Sequence, residues 1–324
     1  MHRNRILLNI GLTTILIVLI IFSITTKNTS PRFFISGLVK QQEIDSKKAY
    51  TQTQINTYDS EPTWFPTSEL GTYTQPTISG RAGFLVDINT GTILYSKEAA
   101  KKLPIASLTK IMTAVIALEH KSLDERVYIT YEAAEVGENT MNLDYGEIYT
   151  LEELMYGLIL NSANDAAYAI AINVAGNTNR FVEWMNFKAT ELGLTDTVFT
   201  DPSGLDDGNV STVADLVKLT RYAMKNPEFR KIVSTVNYTI EGNTDHKYNQ
   251  LENQTNLLTT YPGVAGVKTG LTEAAGLCLV TYANNNGNEV IGAVLRSVDR
   301  KWDMVLMLDH GFETLGVEVE HDLL

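Results

Sequence analysis

The chain opens with an uncharged apolar run, continues through a polar stretch, and then shows segments with helix or strand periodicity. Residues 6–26 are dominated by Ile, Leu and Val and are long enough to cross a bilayer as one helix. Residues 27–77 are rich in Ser, Thr, Gln, Asn and Tyr and show neither periodicity. This pattern predicts a membrane-spanning segment, an extracytoplasmic linker and a folded domain over residues 78–318.

Strand and helix signals in the folded part follow a clear order. Apolar segments at residues 82–88 and 92–95 flank a turn with Asn and Gly, which is typical of a β-hairpin. A helix is predicted to begin at or near Ser107, because Ile111, Val115 and Leu118 then form one buried stripe.

The second half of the domain turns from helices back to strands. Residues 151–229 are mostly helical in pattern, strand patterns return at residues 277–282 and 290–295, and an amphipathic helix is predicted over about residues 300–315. Strands at both ends of the domain favour an α+β fold. We expect an antiparallel sheet flanked by helices, with a helical subdomain inserted in the middle.

The N-terminal run reads as a signal anchor or as a cleaved signal peptide. Arg3 and Arg5 precede it, which favours a cytoplasmic N-terminus over residues 1–5. A signal peptide needs a small-x-small site after the apolar run, and Ser23-Ile24-Thr25 is only a poor match. We therefore favour an uncleaved anchor, with the domain held on the outer side of the cytoplasmic membrane. Either interpretation exports the domain.

Composition excludes several classes of function. The net charge of −12 argues against nucleic-acid binding, which needs basic patches. The five histidines show no metal-ligand spacing, so no metal and no cofactor are predicted. The single cysteine, Cys278, cannot form an internal disulfide, and its apolar neighbours indicate a buried core thiol.

Ser107 and Lys110 form the first candidate catalytic pair. A spacing of three residues can place both side chains on one helical face, and a neutral amine beside a hydroxyl can act as its base. The lysine pKa must then fall by several units, through burial or a second cation. The pair alone is weak evidence, because Ser-x-x-Lys recurs by chance.

Two further motifs complete a constellation. Ser162-x-Asn164 lies in the helical region, and Lys268-Thr269-Gly270 precedes a strand pattern. Taken separately, Ser162 and Asn164 could be helix caps and Lys268 a solvated lysine of a strand edge. Ser-x-x-Lys, Ser-x-Asn and Lys-Thr-Gly in this order resemble the penicillin-binding proteins and class A β-lactamases.

The resemblance extends over roughly residues 80–316 and is closest to the serine D-alanyl-D-alanine carboxypeptidases. Residues 106–114, 157–167, 201–207 and 255–258 are similar to segments of that family. The resemblance implies a β-lactamase/penicillin-binding-protein-like transpeptidase fold. It also implies peptidoglycan stem peptides ending in D-Ala-D-Ala as substrate, and β-lactams as inhibitors.

The resemblance also implies a role for each motif residue. Ser107 attacks the carbonyl between two terminal D-alanines, and Lys110 is its base, kept neutral in part by the charge of Lys268. Ser162 relays the proton to the leaving amine. Asn164 holds either the substrate backbone or Lys110.

Further positions are implied in substrate binding. Thr269 donates to the substrate carboxylate, and Gly270 permits close approach of an extended peptide to an edge strand. The backbone amides of Ser107 and Leu271 form the oxyanion hole. Arg300 matches the family's carboxylate-binding arginine, although it could also be a surface residue at the start of a helix.

The sequence departs from the family pattern in places, and alternatives stay open. Asn209-Val210 stands where many members have His-Tyr, and Leu271 stands where a polar residue is common, so substrate fine-tuning is left open. The chain stops soon after Gly316, and it is expected to lack the β-rich C-terminal domain and amphipathic anchor of many relatives.

Three other functions are alternatives to the carboxypeptidase interpretation. A class A β-lactamase needs a Glu-x-x-Leu-Asn pattern, to which only residues 191–195 come close. A D,D-endopeptidase would use the same residues on a larger leaving group. A non-catalytic peptidoglycan-binding protein would retain the fold without the reaction, and the intact motifs argue against it.

Overall fold

The computed structural model describes residues 31–62, 64, 66 and 74–323. The chain divides into two compact units, residues 1–49 and residues 50–324. The predicted membrane segment at residues 6–26 lies outside the described residues. Within the described part of the chain, no helix is both long and apolar enough to cross a bilayer.

A five-stranded antiparallel sheet forms the centre of the second unit, as predicted. The hairpin at the start of the domain is confirmed, and its turn is held by the Asp87 carboxylate, which accepts from the backbone N–H of Asn89 and the hydroxyl of Thr90. The strand order is β2-β1-β11-β10-β9. The bounds of these strands are β1 Ala82–Asp87, β2 Ile93–Lys97, β9 Val264–Thr272, β10 Gly276–Asn285 and β11 Asn288–Ser297.

β10 and β11, the last two strands of the chain, lie between β1 and β9, the strand that carries Lys-Thr-Gly. β11 pairs with β1 on one side and with β10 on the other, so the sheet is built from both ends of the domain. β9 is the edge strand, and Lys268 and Gly270 lie opposite Val280 and Cys278 of β10. The predicted placement of Lys-Thr-Gly on an edge strand is confirmed.

The last helix covers one face of the sheet. The predicted helix over residues 300–315 is confirmed as α9, Arg300–Thr314. Met304, Leu308 and Phe312 pack in one apolar cluster with Leu85 and Leu94 of the first hairpin. Burial of these apolar side chains stabilises the contact between the C-terminal helix and the N-terminal strands. The two ends of the domain therefore lie together.

The predicted helical subdomain is also present. Thr150 caps one of its helices in a capping box with Glu153, since the side chain of each residue accepts a hydrogen bond from the backbone N–H of the other. Short strand pairs connect the helices. In chain order the remaining elements are β3 Leu103–Pro104, α2 Lys110–His120, β4 Arg126–Tyr128, α3 Tyr131–Ala134, β5 Ile148–Thr150, α4 Leu151–Ile159, α5 Asn164–Ala175, α6 Thr178–Glu191, β6 Val210–Ser211, α7 Val213–Ala223, α8 Pro227–Val233, β7 Asn237–Ile240 and β8 Asn249–Glu252, with short 3-10 helices at Ala106–Thr109 and Asn256–Thr259.

α2 is buried along its whole length, not on one stripe. Every residue from Lys110 to His120 is buried, because α5, α6 and α7 pack around it. A helix that is enclosed on all sides is expected to be apolar all round, and α2 fits this rule except at its two ends and at Thr113, whose hydroxyl donates to the Pro202 carbonyl. Its first residue, Lys110, is therefore a lysine held in the interior.

A helix also occupies part of residues 27–77, the stretch that was predicted to be a linker without helical or strand periodicity. Pro31–Thr53 forms α1. It contains three Gln and three Lys, which favour helix without producing an apolar stripe. Hydrophobic periodicity could not reveal a helix of this kind, and the role of residues 27–77 as an extracytoplasmic linker stays a prediction.

Candidate active site

Ser107 and Lys110 meet as the sequence predicted. Ser107 lies in the 3-10 helix Ala106–Thr109, and Lys110 is the first residue of α2. A 3-10 helix has three residues per turn, so side chains three positions apart align. The Lys110 Nζ lies 3.1 Å from the Ser107 Oγ.

Lys110 has two further hydrogen-bond partners. Its Nζ donates to the Asn164 Oδ1 at 2.7 Å and to the Ser203 carbonyl at 2.7 Å. The side chain is fully buried, and burial lowers the pKa of Lys110 to about 7, while the negative charges of Asp201, Asp165 and Glu138 act in the opposite direction. A substantial fraction of the amine is therefore neutral at physiological pH.

Ser203 was not singled out from the sequence, although it lies in one of the segments that resemble the family. The Asp201 carboxylate accepts from the backbone N–H and the hydroxyl of Ser203, which fixes the carbonyl that faces Lys110. The next residue, Gly204, lies against the nucleophile turn, and a Cβ there would sit 2.0 Å from the Ala106 carbonyl oxygen. Only glycine fits at this contact.

Asn209, one of the departures from the family pattern, supports the same loop. It is completely buried, and its side chain donates to the Asp201 carboxylate at 3.1 Å and to the Asp206 carbonyl at 2.8 Å. Its backbone carbonyl accepts from the Ile105 N–H. The asparagine therefore joins the Asp201 loop to the strand that precedes Ser107.

Ser162 and Asn164 lie where α4 passes into α5. Asn164 bridges the site, because its Nδ2 donates to the Gly137 carbonyl while its Oδ1 accepts from Lys110. The N-cap of α5 is Ala163, so Asn164 is not a helix cap. Ser162 is buried in a left-handed backbone conformation, and no hydrogen bond joins it to Lys110 in the described chain.

Lys268 faces the interior and is only 1% exposed, which excludes a solvated lysine of the strand edge. Its Nζ donates to the Thr269 carbonyl. Burial and the positive charges of Lys110 and Arg300 hold the pKa of Lys268 well below its usual range. We expected the charge of Lys268 to lower the pKa of Lys110. The structure shows the reverse effect, because the charge of Lys110 lowers the pKa of Lys268. The pKa of Lys110 is lowered by burial.

Gly270 brings the edge strand against the nucleophile. A Cβ at Gly270 would lie 3.2 Å from the Ser107 backbone nitrogen. Thr269 is buried beside it, and the Leu271 side chain is 61% exposed. The second predicted oxyanion donor, the Leu271 amide, thus belongs to a strand that runs directly alongside Ser107.

Arg300 contacts the same strand from α9. Its Nη1 donates to the Gly270 carbonyl at 2.8 Å and to the Cys278 carbonyl at 3.4 Å, so it is not a free surface residue. A small cavity of about 50 Å³ is lined by Arg300, Thr269, Thr255, Lys301 and two leucines. Its polar lining has the donors that a carboxylate requires.

Cys278 and the acidic residues offer no competing centre. The thiol is buried, as predicted, and burial raises its pKa to about 11, which keeps it protonated. Within the described residues, no group of three or more His, Cys, Asp or Glu side chains could hold a metal ion.

Comparison with known proteins agrees with this geometry. The family model described as D-alanyl-D-alanine carboxypeptidase, peptidase S11, matches residues 70–298. D-alanyl-D-alanine carboxypeptidase DacF of Bacillus subtilis is 34% identical over 241 residues, covering 72% of this chain and 62% of that protein. A D-alanyl-D-alanine endopeptidase of Pseudomonas aeruginosa is 31% identical over 233 residues, covering 71% of this chain and 75% of that protein.

A solved structure shares the fold. The crystal structure of the Streptomyces K15 DD-transpeptidase superimposes with a TM-score of 0.71 at 36% identity, covering 74% of this chain and all of that one. The expected penicillin-binding-protein-like fold is confirmed. With the family model matching most of the domain, the chain belongs to the D-alanyl-D-alanine carboxypeptidase family of serine peptidases.

Proposed function

We propose that this protein removes the terminal D-alanine from peptidoglycan stem peptides through an acyl-enzyme on Ser107. One observation carries the proposal. The buried Lys110 amine has the Asn164 Oδ1 and the Ser203 carbonyl as acceptors and the Ser107 hydroxyl as its third neighbour. A neutral amine that donates its two hydrogens to these acceptors directs its lone pair at the Ser107 hydroxyl.

Acylation follows from this arrangement. Lys110 takes the hydroxyl proton as the Ser107 Oγ attacks the carbonyl carbon between the two D-alanines, which forms a tetrahedral oxyanion. The amides of Ser107 and Leu271 are the proposed donors to that oxyanion, and such donors typically contribute about 3 to 4 kcal/mol. The proton passes to the departing amine through Ser162, the C–N bond breaks, and D-alanine leaves. Water then hydrolyses the ester and restores Ser107.

The terminal carboxylate of the substrate is proposed to lie at the cavity between β9 and α9. Thr269 supplies a hydroxyl and Arg300 a cation in its lining. The extended peptide would pair with the free edge of β9, where Gly270 allows close approach. β-Lactams would acylate Ser107 by the same attack, because they present a carbonyl and a carboxylate in a similar arrangement.

Release of D-alanine from a peptide ending in Lys-D-Ala-D-Ala tests the activity. The wild-type chain should release D-alanine, and Ser107→Ala should abolish release while keeping the same unfolding transition. Mass spectrometry should find penicillin bound to Ser107 in the wild type only. Equally slow release by both proteins would favour a non-catalytic peptidoglycan-binding protein.

The remaining alternatives differ in leaving group or in the fate of the acyl-enzyme. An endopeptidase would cleave cross-linked dimers faster than monomeric peptides, so product analysis on native peptidoglycan separates the two. A class A β-lactamase would turn penicillin over rapidly. Glu191 is the nearest match to the glutamate that such an enzyme requires. Its carboxylate forms an ion pair with Lys188 at 3.0 Å and accepts a hydrogen bond from the Tyr50 hydroxyl at 2.8 Å. We therefore expect a long-lived penicilloyl-enzyme.

Residues 6–26 are proposed to anchor the protein in the cytoplasmic membrane, with the domain on the cell-wall side. Their length and apolar character support this location, as does the family's action on cell-wall peptides.

A further inference from the structure

Three tyrosines lie together on the surface and have no part in the proposed chemistry. Tyr128 ends β4, Tyr131 opens α3, and Tyr145 lies in the loop between α3 and β5. They are 47%, 65% and 63% exposed, respectively. The Tyr145 ring lies 6.0 Å from the Tyr128 ring and 6.4 Å from the Tyr131 ring, edge to face in both pairs. These three residues are called the tyrosine patch below.

The tyrosine patch and the candidate active site share one loop, residues 135–147. On its inner side, the Gly137 carbonyl accepts from the Asn164 Nδ2 at 3.1 Å. The Asp165 carboxylate, next to Asn164, accepts from the backbone N–H of Met141 and of Leu143, each at 3.0 Å. Tyr145 follows Leu143 by two residues, so the patch borders the segment that the second motif holds in place.

The rings of the tyrosine patch offer apolar faces with hydroxyl groups at their tips. A pyranose ring has a complementary form, because its C–H groups can stack on an aromatic face while its hydroxyl and amide groups hydrogen-bond at the rim. Tyrosine supplies such contact area at a low cost in conformational entropy, since it has only two rotatable side-chain bonds. Two ring separations near 6 Å make the patch large enough for more than one sugar ring.

Charge around the tyrosine patch restricts its ligand. Glu132, Glu135 and Glu138 are exposed on α3 and the loop beside it. Their negative charge disfavours anionic lipid surfaces and polyphosphate polymers, whereas a neutral glycan carries no charge to be repelled. The peptide that the active site would cleave is itself a branch of a polymer of N-acetylated hexosamines.

We propose that the tyrosine patch binds the glycan strand of peptidoglycan while a stem peptide of that strand occupies the active site. This inference rests on the proposed function, and it assigns the loop a second task. Its inner side positions Asn164, and its outer side holds the polymer. Binding at the patch raises the local concentration of stem peptides at Ser107 and does not alter the reaction itself.

Two measurements test the proposal with the double variant Tyr131→Ala/Tyr145→Ala. D-Alanine release from a short soluble peptide should be unchanged, whereas release from intact peptidoglycan should fall about tenfold, as expected for losing stacking at two rings. Tyr131→Phe/Tyr145→Phe keeps the rings and should retain most of the polymer activity. Tyr248→Ala, a change at a tyrosine that is 55% exposed and outside the patch, is the matched control and should behave as wild type.

Titration with a tetramer of β-1,4-linked N-acetylglucosamine gives the second readout. The tetramer should bind the full chain carrying Ser107→Ala and should not bind when both tyrosines are also replaced by alanine. Because this titration needs no turnover, it tests the tyrosine patch even if D-alanine release fails and the proposed function is wrong.

Three outcomes would overturn glycan binding at the tyrosine patch. Equal loss of activity on peptide and polymer would make the tyrosines structural supports of the loop. Unchanged activity on both substrates, with no tetramer binding, would leave the patch without a glycan. A concentration-dependent dimer in wild type that the double variant loses would identify a second copy of the chain as the occupant.

Discussion

At the residue scale, the site places two lysine side chains in the interior within electrostatic reach of each other. Burial disfavours the charged form of both, and the positive charge of Lys110 further lowers the pKa of Lys268. The carboxylates of Asp201, Asp165 and Glu138 partly offset the burial of Lys110, whose pKa is lowered to about 7. With this pKa, Lys110 is expected to change its protonation state near neutral pH.

Acylation should therefore depend on the titration of Lys110. The neutral amine is the base, so the acylation rate should rise with pH through about 7 and level off above it, as measured by stopped-flow penicillin binding. Glu138→Gln removes a charge that raises the pKa of Lys110, so the midpoint should move to lower pH. Glu135→Gln, also exposed and nearby, is the control. A flat profile, or an upward shift in Glu138→Gln, would contradict lysine as the base.

The sequence was sufficient to predict the candidate catalytic residues but not the residues that support them. Ser107, Lys110 and Lys268 carry distinctive chemistry at distinctive spacings, so they stand out in one chain. Ser203 acts through its backbone carbonyl, and a backbone contact leaves no mark in residue type. Asn209 acts through side-chain hydrogen bonds within its loop, and the sequence showed it only as a departure from the family pattern.

At the element scale, the segment before the matched family region is bound to the domain. Residues 50–62, here called the N-terminal strap, precede the region of residues 70–298 that matches the family. The backbone N–H of Ile55 donates to the Glu119 carbonyl at 2.7 Å, and Glu61 forms ion pairs with Arg221 and Lys225. The strap thereby joins α7 to the C-terminal end of α2, the helix that begins with Lys110.

Tyr50 is the buried anchor of the N-terminal strap. Its ring is fully enclosed beside His120, Trp184 and Phe187, and its hydroxyl donates to Glu191. Tyr50→Ala should lower the free energy of unfolding by about 3 to 5 kcal/mol in urea titrations, because it leaves a cavity the size of an aromatic ring. Tyr50→Phe keeps the ring and should cost only about 1 kcal/mol. A loss below about 1 kcal/mol in the alanine variant would show that the strap adds little.

The strap also marks a limit of hydrophobic patterns. The strands β1, β10 and β11 and the helices α2 and α9 bury many apolar residues, and the hydrophobic pattern of the sequence therefore predicted them. The strap is held by Tyr50, by backbone hydrogen bonds and by the Glu61 ion pairs. Contacts of this kind have no period, so hydrophobic periodicity did not predict that this polar stretch would pack on the domain.

At the scale of the whole molecule, the proposed anchor would confine the site to a layer near the membrane. The full chain should remain with membranes after alkaline extraction, with a mass that still includes residues 6–26. Leu16→Arg places a charge near the middle of that segment, at a cost of about 3 kcal/mol, and should release part of the protein. A mature protein that begins after residue 26 would contradict the uncleaved anchor and favour a signal peptide.

The single cysteine gives the molecule an internal reporter. Cys278 lies in β10, beside the edge strand that carries Lys268 and Gly270, and its thiol is both inaccessible and protonated in the native state. A thiol reagent can therefore react only in molecules whose sheet has opened at that edge, so the labelling rate measures this opening. A bound substrate analogue that pairs with β9 would slow the labelling, and the wild-type chain would thus report its own occupancy without any introduced probe.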